Sequence, residues 1–167
     1  DELVGIDYRP KDGKLYAVGL QGNLYTLNPN NGEASFLRKL IADPSDTTDG
    51  NASFTQIMGD ANLITVNFNP AADRLRVISN TGQNLRINVD TGATITDGTI
   101  NLATGSAAVV AGAYTNAFAG TGSTKLYSID QNSDRIYLQN ANAGTLGNST
   151  ALGADINTNG GGGFDID

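Results

Sequence analysis

Three aspartates spaced three residues apart are candidate ligands for a metal ion. Asp43, Asp46 and Asp49 lie in a polar stretch that also holds Pro, Ser, Thr and Gly. Hard cations such as Ca²⁺ take several oxygen ligands from a loop, so these residue types suit calcium. The spacing differs from the alternating ligands of an EF-hand, and no bidentate glutamate follows it. The stretch is therefore either a calcium loop or a solvated polar loop, and calcium is the only cofactor that the sequence suggests.

A second group of polar side chains can contact a ligand. Asn80, Gln83 and Asn84 surround one predicted turn, and Asp97 lies in a long connector. In an antiparallel four-stranded sheet, the loop between the second and third strands and the connector to the next sheet leave from the same edge. Because binding residues concentrate on such loops, this connector-rich face is the predicted site for a carbohydrate or another small ligand.

The composition argues against catalysis. The chain has no histidine and no cysteine, which excludes His-dependent triads, Cys nucleophiles and zinc–thiolate sites. Glycoside hydrolysis needs two carboxyl groups that face each other across a sugar. The 17 acidic residues include only two glutamates, Glu2 and Glu33, and no pair of acids stands out. We therefore predict no catalytic residues and a protein that is not an enzyme.

The charge restricts the partners. The net charge is −7 and the isoelectric point is about 4.3, the wrong sign for neutralising nucleic-acid phosphates or an anionic membrane. No apolar stretch approaches the roughly 20 residues of a membrane span. The chain opens at Asp1 without Met and without a signal peptide, which we interpret as a mature or trimmed product. The predictions from these features are no nucleic-acid partner and no membrane insertion.

One turn motif occurs three times, at Asn28–Gly32, Asn88–Gly92 and Asn140–Gly144. Asn, Asp and Gly tolerate the left-handed backbone of a tight reversal, so each copy predicts a hairpin turn. A shift of sixty residues also superimposes residues 5–33 on residues 65–93 without a gap. Recurrence at this interval is typical of a repeat architecture.

Each repeat contains four strand candidates. In the first repeat they are Val4–Arg9, Lys14–Gly19, Asn23–Asn28 and Ala34–Leu40. Four antiparallel strands make a propeller blade, so the predicted fold is all-β with antiparallel, β-propeller-like, four-stranded repeats. Residues 1–167 are expected to form one domain of three blades plus one extra strand, with an incomplete ring. The predicted repeats are residues 4–40, 64–96 and 108–146, and another begins at 162–167.

Two arginines lie on the same side of the second strand of the second repeat. Alternation along that strand gives Arg74 and Arg76 one common face. We expect that face to point outward, where charged side chains discourage aggregation.

Several strings resemble one bacterial family. They are Gly5–Pro10, Gly13–Gly19, Asn67–Val77, Asn80–Arg86, Ala113–Asn116 and Gly163–Ile166. Together they resemble the domain-of-unknown-function 4394 family, whose members are exported and have propeller-like repeats. The resemblance implies this fold and an exported protein with an extracellular or cell-surface location, and it brings no established activity or catalytic residues. Members usually continue past the Gly-Phe-Asp-Ile string, so an open ring is expected here.

The final segment duplicates the first strand of a repeat. Gly163, Phe164, Asp165 and Ile166 correspond to the start of Val4–Arg9 and follow a glycine run. An unpaired strand edge is a template for another chain, so this segment is predicted to complete a blade in a second copy. The competing interpretation is that downstream blades of a longer chain fill that place.

These observations predict a non-catalytic extracellular structural or interaction module. It would self-associate through exposed blade edges or by exchange of the terminal strand, as a filament or surface-layer subunit does. The alternative is a calcium-assisted, carbohydrate-binding or small-ligand-binding propeller that uses the connector-rich face. The two classes differ in their partner, which is another copy in the first and a small ligand in the second.

Overall fold

The computed structural model describes residues 1–46, 53–156 and 162–166. The first sheet contains, in order, β1 (Leu3–Tyr8), β2 (Leu15–Gly19), β3 (Asn23–Leu27) and β4 (Ala34–Lys39), and a short strand β5 (Ile41–Ala42) follows it. After a 3₁₀ turn (Ala61–Leu63), the second sheet contains β6 (Ile64–Asn69), β7 (Arg74–Ser79), β8 (Asn84–Ile87) and β9 (Ala93–Thr96). The third sheet contains β10 (Val109–Tyr114), β11 (Leu126–Asp130), β12 (Arg135–Gln139) and β13 (Leu146–Ala151).

Each sheet is a four-stranded antiparallel meander, as the repeats predict. The strands of the first sheet agree with the predicted segments to within one residue at each end. The short strand β5 adds to the second sheet by pairing in parallel with β9. None of the three sheets closes into a barrel. The all-β, blade-like prediction is confirmed, and we call the sheets the first, second and third blades.

The repeated turn motif has the backbone that its residues predict. Gly32, Gly92 and Gly144 have φ angles of 74°, 81° and 72°, which L side chains rarely adopt. In each turn the glycine N–H donates to the carbonyl of the leading asparagine, at 2.8 Å for Gly32, 2.7 Å for Gly92 and 2.9 Å for Gly144. The motif therefore ends one hairpin arm and starts the outer strand of every blade.

The strand register shows which residues are equivalent between blades. Each blade contains a cross-strand row that joins its first three strands. The rows are Tyr8–Leu15–Leu27 in the first blade, Phe68–Leu75–Ile87 in the second and Tyr114–Leu126–Gln139 in the third. Two rows end in an aliphatic residue and the third ends in an amide.

The hydrophobic core lies between blades. Val18 and Leu24 of the first blade share a buried cluster with Phe68 and Leu75 of the second blade. The rings of Tyr16 and Phe68 meet edge to face across this boundary, with their centroids 5.4 Å apart. Edge-to-face pairs add to the stability that burial provides. A second cluster joins the second and third blades, so each blade depends on its neighbour for a core.

The innermost strands β1, β6 and β10 lie side by side and exchange hydrogen bonds. The Phe68 N–H donates to Oδ2 of Asp7 at 2.6 Å, and the Tyr114 N–H donates to Oδ1 of Asn67 at 2.8 Å. Asp7 and Asn67 are equivalent in the sixty-residue repeat, so the same bond links successive blades. Residues 162–166 line cavities together with β1 and β6 and have no strand assignment.

Candidate functional site

The seam between the first and second blades is built around one arginine. Arg9 follows β1, and its side chain is 4% exposed. Its guanidinium donates to both carboxylate oxygens of Asp73 at 2.7 Å and to both oxygens of Asp90 at 2.8 Å. Paired N–H···O bonds of this kind are among the strongest that side chains form. The hydrogen bonds from Arg9 lower the pKa of Asp73 to about 2, and they lower the pKa of Asp90.

The seam between the second and third blades also contains a buried arginine. Arg76 is 3% exposed, which corrects the expectation that it points outward. Its Nη1 donates to Asp97 at 2.6 Å and to Asn84 at 2.9 Å, and its Nη2 donates to Asn142 of the next blade at 3.0 Å. Alternation of side chains along the strand predicts which face carries Arg76, but it does not predict that another blade packs against that face and buries the side chain.

Both arginines reach the same position of the next blade. Asp90 and Asn142 are each the third residue of the repeated turn motif. Arg9 binds the first of them and Arg76 binds the second. At both seams, therefore, an arginine of one blade binds the third turn residue of the blade that follows it.

The turn glycines contact the chain that leaves the preceding blade. A Cβ on Gly92 would lie 2.6 Å from the carbonyl oxygen of Lys39, and one on Gly144 would overlap the carbonyl oxygens of Gly98 and Thr99. The Ile41 N–H donates to the Gly92 carbonyl, and the Asn101 N–H donates to the Gly144 carbonyl, both at 3.0 Å. No atom lies within 4 Å of a Cβ built on Gly32. The turn of the first blade is therefore an unoccupied copy of a seam.

The face of the first blade that carries this open turn is apolar. Ile6 and Tyr8 are each 52% exposed, and Phe36 is 60% exposed. Phe68, the equivalent of Tyr8, is only 1% exposed because the first blade covers it. Side chains that are core in the second blade are thus surface in the first.

The third blade has an apolar face at the opposite end. Cross-strand pairing puts Tyr127 with Leu138 and Ile129 with Ile136 on the side away from the second blade. All four side chains are partly exposed. The described structure thus ends in an apolar blade face on both sides.

The four residues predicted to bind a ligand all have partners within the chain. Asn84 and Asp97 are buried at the second seam, where both bind Arg76. Gln83 accepts from the Met58 N–H and donates to the Gln56 carbonyl, both at 2.9 Å, and Asn80 accepts from the Asp60 N–H at 3.2 Å. Asn84 and Asp97 thus lie together at the second seam, whereas Gln83 and Asn80 hydrogen-bond to the connector between the first and second blades. Their role toward a ligand stays a prediction.

The predicted calcium loop is only partly described. Asp43 accepts hydrogen bonds from the N–H and hydroxyl of Ser45, which lower its pKa, and Asp46 accepts from the Thr96 N–H at 3.0 Å. Asp49 lies outside the described residues. Within residues 1–46, 53–156 and 162–166 no group of three acidic, His or Cys side chains could hold a metal ion. A calcium site at this loop stays a prediction.

The predicted self-association segment lies at the inner strands of its own chain. Gly163 and Phe164 line a cavity with Val4 and Gly5, and Asp165 and Ile166 line another with Asp7 and Asn67. The Ile166 N–H donates to Asp165 at 2.8 Å, as the Tyr8 N–H donates to Asp7 at 2.8 Å. Burial, with a smaller contribution from Asp165, raises the pKa of Asp7 to about 6. Exchange of this segment between copies stays a prediction.

Two functional residues escaped the sequence reasoning. Arg9 lies inside the family-like string Gly5–Pro10, and no feature of that string shows that its side chain crosses to another blade. Gln139 is buried where the other blades have Leu27 and Ile87. An alignment of all three repeats, including the loose third one, would have shown this polar exception.

The chain is similar to known proteins at two levels, solved structures and a family profile. No helix in the described part of the chain is long and apolar enough to cross a bilayer. No curated protein matches the chain. Two solved structures are similar to 87% of it: auxiliary nutrient binding proteins from Bacteroides thetaiotaomicron VPI-5482 (14% identity, TM-score 0.49) and Bacteroides ovatus ATCC 8483 (15% identity, TM-score 0.48). The matched part of each is 34% of its length, so this chain spans about a third of them. The profile of Domain of unknown function (DUF4394) matches residues 1–167, and the chain belongs to that family.

Proposed function

We propose that this protein is a non-catalytic, exported interaction module that self-associates head to tail through its first and third blades. One observation carries the proposal: the first blade exposes the side-chain positions that the second blade buries. Tyr8 is 52% exposed, whereas its equivalent Phe68 is 1% exposed. Because burial of apolar surface drives association, an incoming blade would gain from covering this face.

The open turn of the first blade supplies polar groups for the same contact. Asn30 is the third residue of its turn, equivalent to Asp90 and Asn142, and it is exposed. Gly32 leaves room for the backbone of a preceding blade. An incoming blade thus meets the same turn backbone that carries both existing seams.

The third blade offers the matching face within the same chain. Tyr127, Ile129, Ile136 and Leu138 occupy the side that packs onto the next blade elsewhere in the structure. Contact between this face and the first blade of another copy is heterologous, since two different surfaces meet. Such contacts give a ring if the rotation closes and a filament if it does not.

The number of blades favours a two-copy ring. Two copies of the three blades that the structure describes give six, within the usual range of propellers. The non-catalytic assignment is supported by the lack of His and Cys. The exported setting is supported by the family resemblance.

Light scattering coupled to size exclusion tests the association. We expect wild-type protein to shift from monomer to dimer or larger species as its concentration rises into the micromolar range. Phe36→Asp puts a charge on the open face of the first blade and removes an aromatic contact. Losing the burial of one such side chain costs about 1.5–3 kcal/mol, so the dissociation constant should rise about tenfold to a hundredfold.

Mixing separates head-to-tail contact from other modes. Leu138→Asp blocks the third blade, and Phe36→Asp blocks the first, so each variant alone should be monomeric. An equimolar mixture retains one intact interface per pair and should form a dimer that grows no further. Met58→Asp is the matched control, since Met58 is 48% exposed and belongs to neither blade face. Monomeric wild-type protein at high micromolar concentration would contradict the proposal, and so would a mixture that stays monomeric.

A further inference from the structure

The two seams differ at the position that Arg9 occupies. Asn69 is the equivalent residue in the second blade, because each directly follows the equivalent residues Tyr8 and Phe68. The arginine fills the first seam with its guanidinium. At the second seam the shorter Asn69 instead lines a cavity of about 510 Å³. The repeat thus leaves a space where its other copy has a side chain.

A buried amide without a partner lines this cavity. Gln139 is 4% exposed and stands where the other blades have Leu27 and Ile87. Its Oε1 accepts from the Ser128 hydroxyl at 2.6 Å, whereas its Nε2 has no hydrogen-bond partner in the part of the chain described here. Buried donors are nearly always satisfied, and no residue of the described part of the chain satisfies this one.

Asn69, Asn140 and Lys125 offer further donors to the cavity. Oδ1 of Asn69 accepts from the Ala71 and Ala72 N–H groups at 3.0 and 2.9 Å, and Oδ1 of Asn140 accepts from the Ala143 N–H at 3.2 Å. Because these backbone donors fix the oxygens, each side chain has its amide nitrogen left to offer. Lys125 adds an exposed ammonium. None of the residues that line the cavity is acidic, although the chain has 17 acidic residues.

We propose that this cavity binds a small molecule through its carboxylate group. A carboxylate accepts several hydrogen bonds and carries the charge that Lys125 complements, which suits a site lined by donors. The volume falls within the range of small-ligand sites. Leu138 lines this cavity and also belongs to the face proposed for self-association, so ligand binding is measured on monomeric protein, where either proposal can fail without the other.

Two sugars that differ in one group provide the test. Galacturonate carries a carboxylate where galactose carries a hydroxymethyl group. We expect galacturonate, titrated into ¹⁵N-labelled monomeric protein, to shift the side-chain amide resonances of Gln139 and to bind at least about tenfold more tightly than galactose. Succinate should shift the same resonances. The proposal is wrong if neither acid shifts them at about 10 mM, or if galactose binds equally well.

Three variants locate the site. Asn69→Arg restores the arginine of the first seam and should reduce galacturonate affinity at least about tenfold by filling the cavity. Lys125→Gln should weaken galacturonate about fivefold and leave galactose unchanged, since it removes one exposed charge. Lys14→Gln, at the equivalent position of the first blade, is the control and should bind as wild type does. If Asn69→Arg does not fold, Lys125→Gln and the Gln139 resonances decide the matter. Wild-type galacturonate affinity in both cavity variants would overturn the assignment.

Discussion

Replacing Arg9 by methionine tests whether the first seam holds two blades together. Methionine keeps an apolar stem of similar length but removes the guanidinium, which donates to Asp73 at 2.7 Å and to Asp90 at 2.8 Å. Both carboxylates then lack the guanidinium that joins them, and the exposed Lys11 ammonium still contacts Asp73 at 3.0 Å. The variant therefore removes the charge-assisted bonds and leaves most of the packing.

The magnitude follows from the carboxylates. The pKa of Asp73 is lowered from 3.8 to about 2, chiefly by its hydrogen bonds to Arg9. This depression corresponds to about 2 kcal/mol at neutral pH, and we reduce it to about 1.5 kcal/mol because Asp73 is partly open to solvent screening. With a smaller contribution from the more exposed Asp90, the expected loss of unfolding free energy is about 2 kcal/mol. For a chain of this size the melting temperature should fall by about 4–8 °C.

The pH dependence gives an independent measurement of the same effect. The folded pKa of Asp73 is below its unfolded value, so its contribution is complete above about pH 4 and disappears as the pH falls toward 2. Wild-type protein should therefore lose stability between about pH 4 and pH 2, and Arg9→Met should lose less over that window.

Urea melts at a series of pH values provide the assay, with circular dichroism at a β-sheet wavelength as the signal. Lys14→Met serves as the matched control, because Lys14 is an exposed cation on the same side of the first hairpin. The reasoning is refuted if Arg9→Met destabilises the protein no more than Lys14→Met at neutral pH. It is also refuted if the two variants lose stability equally between pH 4 and pH 2.

Three further predictions follow. Asp7→Asn should raise stability more at pH 8 than at pH 4.5. Burial raises the pKa of Asp7 in the folded protein to about 6, so wild-type protein loses stability as the pH rises from about 4 to 6. Thermal melts of both proteins at the two pH values measure the difference. Gly144→Ala should destabilise the protein more than Gly32→Ala in urea melts, because both glycines have φ above 70° but only Gly144 contacts the preceding blade, and equal losses would contradict the seam. EDTA should leave the melting temperature unchanged, because Asp43 and Asp46 already accept hydrogen bonds within the chain, and a fall that Ca²⁺ reverses would instead establish a calcium loop.

The elements of the fold could be predicted from the sequence because their signals are local. Gly32, Gly92 and Gly144 adopt the left-handed backbone that their turns require, and the apolar runs before them form strands. A period of sixty residues then implies that the resulting sheets are copies of one unit.

The site could not be predicted in the same way because it depends on how the blades pack. Alternation gives Arg76 a strand face but does not say what covers that face. Asp97 is a connector residue by sequence, yet it is 2% exposed because it pairs with Arg76 and Arg86 of its own blade, beside the second seam. Gln139 can be recognised as a polar exception only when the third repeat, whose loops differ in length, is aligned with the other two. Contacts between distant residues decide all three.

The short strand β5 has a consequence for how the protein comes apart. It leaves the first blade and pairs in parallel with β9, the outer strand of the second blade. The linker is thereby paired with the outer strand of the middle blade, and that strand cannot separate from its neighbours without first breaking its pairing with the linker. We expect the two terminal blades to unfold first and the middle blade to unfold last. The backbone amides of β7 and β8 should therefore exchange with deuterated solvent more slowly than those of β3 or β12.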